Sequence, residues 1–328
     1  MKALVYHGPR DLRVEDRPEP EPGPGEVVLK VLACGICGTD LRIHGGGHSA
    51  YPDGTVRVPG HEIAGEIAAA GDGVDVAPGA RVFLAPNLEA GGAFGITRDG
   101  GMAQYVAAPA GNLLALPADA DPAAMSVIEP LACVVRGQRA TRTGEGDVAL
   151  IFGAGPIGLL HALVARSLGA AEVIVSEPSA DRRARVLEFD PAITVVDPQT
   201  QDLREAVGAR GADVIITAAP VPAVQTQAVE LAARGGRINF FGGLAKGRSV
   251  VALDTNLIHY RELLVTGTTA NDLDDCRRAV ALVAEGRIDP APFVSERFGL
   301  EQADAAFAAA AGGSALKVVF EPFQEQPC

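Results

Sequence analysis

Two short N-terminal segments carry side chains that bind transition metals. They read Cys34-Gly-Ile-Cys37-Gly-Thr39-Asp40 and Gly60-His61-Glu62. Thiolate, imidazole and carboxylate groups are the protein ligands of zinc, and a catalytic zinc takes three of them and keeps a fourth position open. Cys37 and His61 are the strongest candidates, because each lies next to glycine at the end of an extended, apolar segment. The third ligand is Glu62 or a more distant carboxylate, Glu129.

The pair Cys34 and Cys37 has other interpretations. A redox dithiol is disfavoured because no thioredoxin-like βαβ pattern surrounds the pair. Half of a structural zinc site is disfavoured because the remaining cysteines, at positions 133, 276 and 328, form no second pair. We interpret Cys34 as a small buried thiol.

A glycine-rich turn in the middle of the chain indicates a dinucleotide site. It follows the apolar run 148–152, precedes a predicted helix, and consists of Gly153, Ala154, Gly155, Pro156, Ile157 and Gly158. The first glycine permits a tight turn, the second lets the backbone approach a pyrophosphate, and the third allows close packing of helix on strand. The start of the helix favours the anion. A metal together with a nicotinamide cofactor predicts hydride transfer.

An acidic residue, Glu177, ends the next predicted strand. At this position a carboxylate accepts hydrogen bonds from ribose hydroxyls and repels a 2′-phosphate, so the sequence favours NAD over NADP. Arg182 and Arg183 follow one helical turn later and are either phosphate ligands or solvated helix charges. We include Arg182 among the candidate cofactor-binding residues.

Composition limits the class of protein. The 328 residues are 48% hydrophobic and 21% charged, as in globular proteins of two domains, and the formal net charge of −13 disfavours nucleic acid and anionic membranes as partners. The sequence has no signal-peptide pattern and no membrane-spanning run. Irregularly spaced cysteines make no disulfide framework, so we expect a cytoplasmic protein.

The hydrophobic patterns predict an α/β fold with two domains. Residues 1–131 read as short strands between Pro/Gly turns, which is typical of a small β-rich domain. Residues 132–268 contain continuous apolar runs spaced by helical stretches, as in the parallel sheet of a doubly wound Rossmann domain. Residues 269–328 return to mixed structure and complete the first domain, so the nucleotide domain is inserted into the catalytic one.

These motifs resemble the zinc-dependent medium-chain alcohol dehydrogenases over essentially the whole chain. Within that family the chain is most similar to the sorbitol (polyol) and threonine dehydrogenase branch, in which a glutamate completes the zinc site. The resemblance implies a GroES-like catalytic domain, a homodimer or homotetramer, and Cys37, His61 and either Glu62 or Glu129 as zinc ligands. It also implies Thr39 as the hydroxyl that relays the substrate proton and Asp40 as support for the ligands.

The chain departs from the family pattern at two places. Residues 86–101, where many members carry four cysteines around a structural zinc, contain no cysteine, so we expect one catalytic zinc and no structural zinc. Arg42 stands where members often have a histidine that passes the proton outward. Arginine does not release a proton at neutral pH, so His44 or water takes that role, or Arg42 serves the substrate or the cofactor phosphates.

The predicted reaction moves a hydride between NAD and a secondary alcohol, giving a ketone. Polar residues near the predicted site favour a polyol, cyclitol or amino-alcohol substrate, and they are Arg42, His44, His48, Tyr51 and Glu129. One alternative is a zinc-free quinone-type reductase of the same fold. The other is a catalytically silent NAD-binding protein, which would need neither the ligands nor the relay hydroxyl.

Overall fold

The computed structural model of the chain describes residues 1–324. The fifth cysteine, Cys328, lies outside the described residues. The chain divides into two compact units. One is formed by Met1–Ala132 together with residues 271–324, and the other by Cys133–Ala270. Two separate parts of the sequence therefore build one unit, and the part between them builds the second.

The first of these units, residues 1–132 and 271–324, is β-rich and is called the catalytic unit below, after the role predicted for it. Its N-terminal elements are β1 (Lys2–Gly8), β2 (Asp11–Asp16), β3 (Glu26–Gly35), α1 (Gly38–His44), β4 (Glu62–Ala70), β5 (Arg81–Leu84), β6 (Tyr105–Pro109), β7 (Leu113–Ala115), α2 (Pro122–Ser126) and the start of α3 (Ile128–Ala140). The second unit follows with β8 (Val148–Phe152), α4 (Pro156–Ser167), β9 (Glu172–Ser176), α5 (Ala180–Phe189), β10 (Thr194–Val196), α6 (Leu203–Val207), β11 (Ala212–Thr217), α7 (Pro222–Leu231), β12 (Ala232–Asn239), α8 (Thr255–Tyr260) and β13 (Leu264–Thr266). The chain then returns to the catalytic unit with α9 (Leu273–Ala284), β14 (Val294–Phe298), α10 (Ala303–Ala311) and β15 (Lys317–Phe320).

Strand β3 organises the catalytic unit. Within residues 1–324 it pairs antiparallel with β4, β6 and β15. The register sets Gly35, at the end of β3, opposite Glu62, at the start of β4. It also sets Cys34 opposite Phe320 in β15. The segments that follow β3, precede β4 and begin β15 therefore meet at one edge of this sheet.

The second unit contains a parallel sheet. Its strand order over the described residues is β10-β9-β8-β11-β12-β13. This is the order of a doubly wound dinucleotide-binding domain, with β8 in the position of the first strand. Buried residues such as Leu150, Ile174 and Ile215 form its core. The predicted fold class, a Rossmann domain inserted into a β-rich GroES-like domain, is confirmed.

Three segments differ from what their sequence patterns predict, for local reasons. The apolar run 262–268 predicts a strand but forms only the short strand β13, because Glu262 adopts a positive φ of 57° that no strand accommodates. The run 103–107 also predicts a strand, which lies instead at Tyr105–Pro109, since Ala103 forms an isolated bridge with Ala3. The alanine-rich segment 301–311 predicts a helix, which begins at Ala303 after a 3₁₀ turn.

Among the helices of residues 1–324, none combines the length and the apolar character that crossing a bilayer requires.

Candidate functional site

The two predicted metal-binding segments meet because of the β3–β4 register. Cys37 lies two residues beyond the end of β3 and is the N-cap of α1, while His61 immediately precedes β4. The ligand atoms of Cys37, His61 and Glu62 all lie within 4.8 Å of one another. Among the described residues, these three side chains form the group that could hold a metal ion.

Two members of the cluster are buried, and one of their polar atoms lacks a hydrogen-bond partner among the described residues. His61 is 7% exposed and Glu62 is fully buried. Nδ1 of His61 makes no hydrogen bond to any described residue. A buried imidazole, a thiol and a carboxylate brought together in this way form the donor set of a zinc ion, so the residues fit the predicted metal.

Asp40 connects the two ligand-bearing segments. Its Oδ2 accepts a hydrogen bond of 2.9 Å from the backbone N–H of Cys37, and its Oδ1 accepts one of 3.3 Å from Gly60. The same Oδ1 lies 3.8 Å from Nδ1 of His61. Burial would lower the pKa of His61, but Asp40 and Cys37 raise it well above its ordinary value. The groups around the imidazole therefore favour a positive charge at this position.

Lys317 is a site residue that the sequence did not reveal. It begins β15, is 7% exposed, and places its Nζ 2.7 Å from Oε1 and 2.6 Å from Oε2 of Glu62. Its ammonium also donates to the carbonyl of Ile36 at 3.2 Å. Burial would lower the pKa of Lys317, but the negative charges of Glu62 and Cys37 raise it. Lys317 therefore keeps its positive charge in this buried ion pair.

Gly35 makes room for this carboxylate. A Cβ atom at Gly35 would lie 2.0 Å from Oε2 of Glu62, which is far inside van der Waals contact. Glycine is therefore required at position 35 because the Glu62 carboxylate occupies the space that a side chain would need.

Glu129, the second residue of α3, is 5% exposed. Its Oε1 accepts a hydrogen bond of 2.8 Å from the side-chain amide of Asn271. Its charge contributes to the raised pKa values of both His61 and Lys317. Glu129 thus acts electrostatically on the cluster, but it is not one of the three residues whose ligand atoms lie within 4.8 Å of one another.

The predicted proton-relay residues occupy different surroundings. Thr39 is partly exposed in the first turn of α1, next to Asp40. The ring centroid of His44 lies 4.9 Å from that of Phe307, and burial lowers the pKa of His44 in the field of Asp304 and Arg10. These charges are not those of the metal cluster.

His48 experiences the cluster more directly. Burial lowers its pKa, as does Arg42, while the charge of Asp40 raises it and that of His61 lowers it. Tyr51 is buried, and its hydroxyl donates to the carbonyl of Gly95 at 2.8 Å. Tyr51 therefore has a packing role, and of the two residues it is His48 that is near Asp40 and His61.

Cys34 is fully buried in the β3 core, and burial raises the pKa of its thiol well above the ordinary value. A protonated, enclosed thiol is a poor metal ligand. Cys34 lies outside the group of three ligand residues. It differs in this respect from Cys37, three residues later.

The glycine-rich turn of the second unit has the geometry of an anion cradle. Gly153 has a φ of 100°, which favours glycine, and a Cβ at Gly158 would lie 1.9 Å from the carbonyl oxygen of Gly153. Gly155 is the N-cap of α4, Pro156 and Ile157 form its first turn, and a Cβ at Gly155 would meet no atom within 4 Å. The open space at Gly155 and the free N–H groups of the helix start suit a phosphate.

Glu177 follows β9 at the edge of this turn. Its Oε2 accepts from the N–H of Ala154 at 2.8 Å and its Oε1 from that of Ser179 at 3.0 Å. Nη1 of Arg182 lies 4.0 Å from the same carboxylate. Arg183 instead donates to the Glu177 carbonyl and pairs with Asp197, so its guanidinium is held by the protein itself.

The two glycines of the turn predict opposite outcomes on substitution. Gly158→Ala is expected to lower the free energy of unfolding by about 1–3 kcal/mol, because the added Cβ collides with backbone. Gly155→Ala is expected to leave unfolding unchanged and to weaken NAD binding. Denaturant unfolding and titration of NADH fluorescence measure the two effects. Equal stability losses in both variants would contradict this assignment.

Comparisons with known proteins agree with the site. The family described as "Zinc-binding dehydrogenase" matches residues 156–285, and the "Alcohol dehydrogenase GroES-like domain" matches residues 23–118. An L-threonine 3-dehydrogenase from Streptomyces avermitilis is 34% identical, over 98% of this chain and 99% of the relative. The chain belongs to the zinc-type medium-chain alcohol dehydrogenase family.

Two further relatives extend this family assignment. A sorbitol dehydrogenase from Halalkalibacterium halodurans is 31% identical, over 98% of this chain and 99% of the relative. A zinc-binding dehydrogenase from Sinorhizobium meliloti 1021, solved with NADP bound, is 34% identical, with a TM-score of 0.89 and coverage of 98% of this chain and 99% of that one. This zinc-type dehydrogenase is therefore an enzyme that uses a nicotinamide cofactor to oxidise a small secondary alcohol to a ketone.

Proposed function

We propose that this dehydrogenase oxidises a polyol, cyclitol or amino-alcohol with NAD, using one zinc held by Cys37, His61 and Glu62, with Glu129 beside them. The observation that carries the proposal is the convergence of the three ligand atoms within 4.8 Å. The names of the relatives support the substrate class, because L-threonine and sorbitol are both alcohols with neighbouring polar groups. No cysteine occurs in residues 86–101, which supports a single zinc.

The residues have separable roles in the proposed mechanism. Zinc, when bound, acts as a Lewis acid on the substrate oxygen. The Thr39 hydroxyl accepts the proton of the substrate alcohol and passes it outward. Asp40 holds the backbone of Cys37 and faces His61, so it fixes the two ligand segments in place. Lys317 balances the charge of Glu62, which would otherwise be isolated in a buried site.

A route for the proton beyond Thr39 is part of the proposal. His44 remains the histidine that the sequence predicts for this step, with water as the alternative. Burial lowers the pKa of His44, so it is neutral at neutral pH and able to accept a proton. The position of His48 in the field of Asp40 and His61 makes it a second acceptor.

The decisive experiment is a substrate screen of the purified protein. Polyols, cyclitols, amino sugars and L-threonine are each supplied with NAD or NADP, and reduced cofactor is followed at its absorbance maximum. We expect turnover with at least one of these classes and much lower efficiency with plain alkyl alcohols. Faster turnover of simple alkyl alcohols than of every polar alcohol would contradict the proposed substrate class.

Cofactor choice depends on Glu177 in this proposal. Glu177→Gln is expected to raise the ratio of kcat/KM for NADP to that for NAD by about tenfold or more, because the repulsion of a 2′-phosphate is removed. Glu188→Gln, which removes an exposed carboxylate nearby, is the control and is expected to change nothing. A wild-type preference for NADP would overturn the choice of NAD.

We also propose that the dehydrogenase is a cytoplasmic homodimer or homotetramer. Strand β13 is at the edge of the parallel sheet as far as the described residues extend, and such an edge offers unpaired backbone groups to another chain. Tyr260 in α8 and Leu264 in β13 expose large apolar side chains. Cys34, Cys37 and Cys276 are thiols and not disulfides in the described part of the chain, which supports a reducing compartment. Light scattering after size-exclusion chromatography measures the assembly.

A further inference from the structure

Glu129 is held by an asparagine from a distant part of the chain. Asn271 lies 142 residues away in sequence, just before α9, and is 6% exposed. Its Nδ2 is 2.8 Å from Oε1 of Glu129 and 3.4 Å from the Glu129 carbonyl oxygen. A hydrogen bond from an amide to a buried carboxylate is charge-assisted and constrains the plane of the carboxylate.

A second asparagine fixes the direction of the first. Nδ2 of Asn87 donates at 3.0 Å to Oδ1 of Asn271 and at 3.0 Å to its backbone carbonyl. Because Oδ1 of Asn271 is the acceptor for Asn87, its Nδ2 is the end that faces Glu129. Asn112 in turn donates at 2.9 Å to the carbonyl of Asn87, so the segment that carries Asn87 is itself tied down.

Asn87 belongs to the segment 86–101, which contains no cysteine. This segment directs the side-chain amide of Asn87 towards Asn271. It thus contributes, through two amides, to the position of the Glu129 carboxylate.

We propose that Asn271 is a positioning residue that fixes the Glu129 carboxylate beside the zinc ligands, and that Asn87 fixes the orientation of the Asn271 amide. The inference rests on the zinc site proposed above. Glu129 and Asn271 are both buried, and the 2.8 Å hydrogen bond between them sets the orientation of the Glu129 carboxylate. Residues that orient groups around a metal site by hydrogen bonds typically change the metal affinity by about 10–100-fold when they are removed.

The test measures the metal and not turnover alone. Wild type, Asn271→Ala and Asn271→Asp are loaded with cobalt(II), and visible spectra are recorded together with zinc affinity by chelator competition. We expect both variants to shift the cobalt bands and to weaken zinc binding by about 10–100-fold. Asn271→Asp is expected to have the larger effect, because it sets a second negative charge against Glu129. Asn256→Asp adds the same charge at an exposed position in α8 and is expected to match wild type.

A double substitution separates positioning from general support of the fold. In a Glu129→Ala background, Asn271→Ala is expected to cause no further change in spectrum or zinc affinity, because no carboxylate is left to orient. An equal further loss in that background would overturn the inference, as would wild-type spectra in both Asn271 variants. If Asn271→Ala does not fold, the nearly isosteric Asn271→Asp decides by the same readouts. A wild-type cobalt protein without a thiolate band that depends on Cys37 would instead refute the zinc site itself.

Discussion

Cys37→Ser is expected to remove the bound zinc and to lower kcat by about 10³-fold or more. Cys37 is one of the three proposed ligands, and a Lewis acid contributes several kcal/mol to the stabilisation of charge on the reacting oxygen. The hydroxyl of serine is a much weaker zinc ligand than a thiolate. Metal content by mass spectrometry and initial rates of NADH formation, measured on the same sample, check both parts.

Cys34→Ala is the matched control for this experiment. Cys34 lies three residues earlier and is fully buried, so its loss leaves a small cavity and costs some stability. We expect the variant to keep its zinc and most of its kcat. Retention of zinc in both cysteine variants would contradict Cys37 as a ligand. Loss of zinc in both would contradict the different roles assigned to Cys34 and Cys37.

The second large effect is expected at Lys317. Lys317→Met leaves the fully buried Glu62 without its counter-ion, so the metal-free protein is expected to lose about 3–5 kcal/mol of unfolding free energy. Added zinc should stabilise this variant more than it stabilises wild type, because the metal replaces the missing positive charge. Denaturant unfolding with and without zinc measures both quantities.

The double variant Glu62→Gln with Lys317→Met distinguishes loss of a charge partner from loss of packing. Removing both charges is expected to recover most of the unfolding free energy, since no uncompensated carboxylate remains. Zinc affinity and turnover are expected to fall below those of wild type, because Glu62 is also a proposed ligand. A double variant no more stable than Lys317→Met would contradict the charge-balance role.

Sequence patterns predicted the local parts of the site. Cys37, Thr39 and Asp40 fall on one short helix start, and His61 with Glu62 on one strand start, so their residue types and order carry the information. The Gly153–Gly158 turn is equally predictable from the sequence, because the steric need for glycine at Gly158 arises within the turn itself. The parallel sheet followed from apolar runs without alternation, as in strands buried on both faces.

Contacts between distant segments could not be predicted in the same way. Lys317 reaches Glu62 across 255 residues of sequence, through the register of β15 on β3. A lysine before an apolar strand ordinarily indicates a solvated end, and no local pattern distinguishes this one. Asn271 and Asn87 are similar, because single asparagines in loops are common turn residues. The relation between Glu62 and Glu129 likewise depends on which side chains hold each carboxylate.

The most direct test of the account measures zinc and turnover together in the wild-type enzyme. The purified protein is assayed for zinc per chain and for NAD-linked oxidation of its best polar alcohol, then stripped with a chelator and reloaded with zinc. We expect one zinc per chain, loss of turnover on stripping and its return on reloading. Undiminished turnover in the stripped protein, with its metal content shown to be negligible, would contradict the central claim.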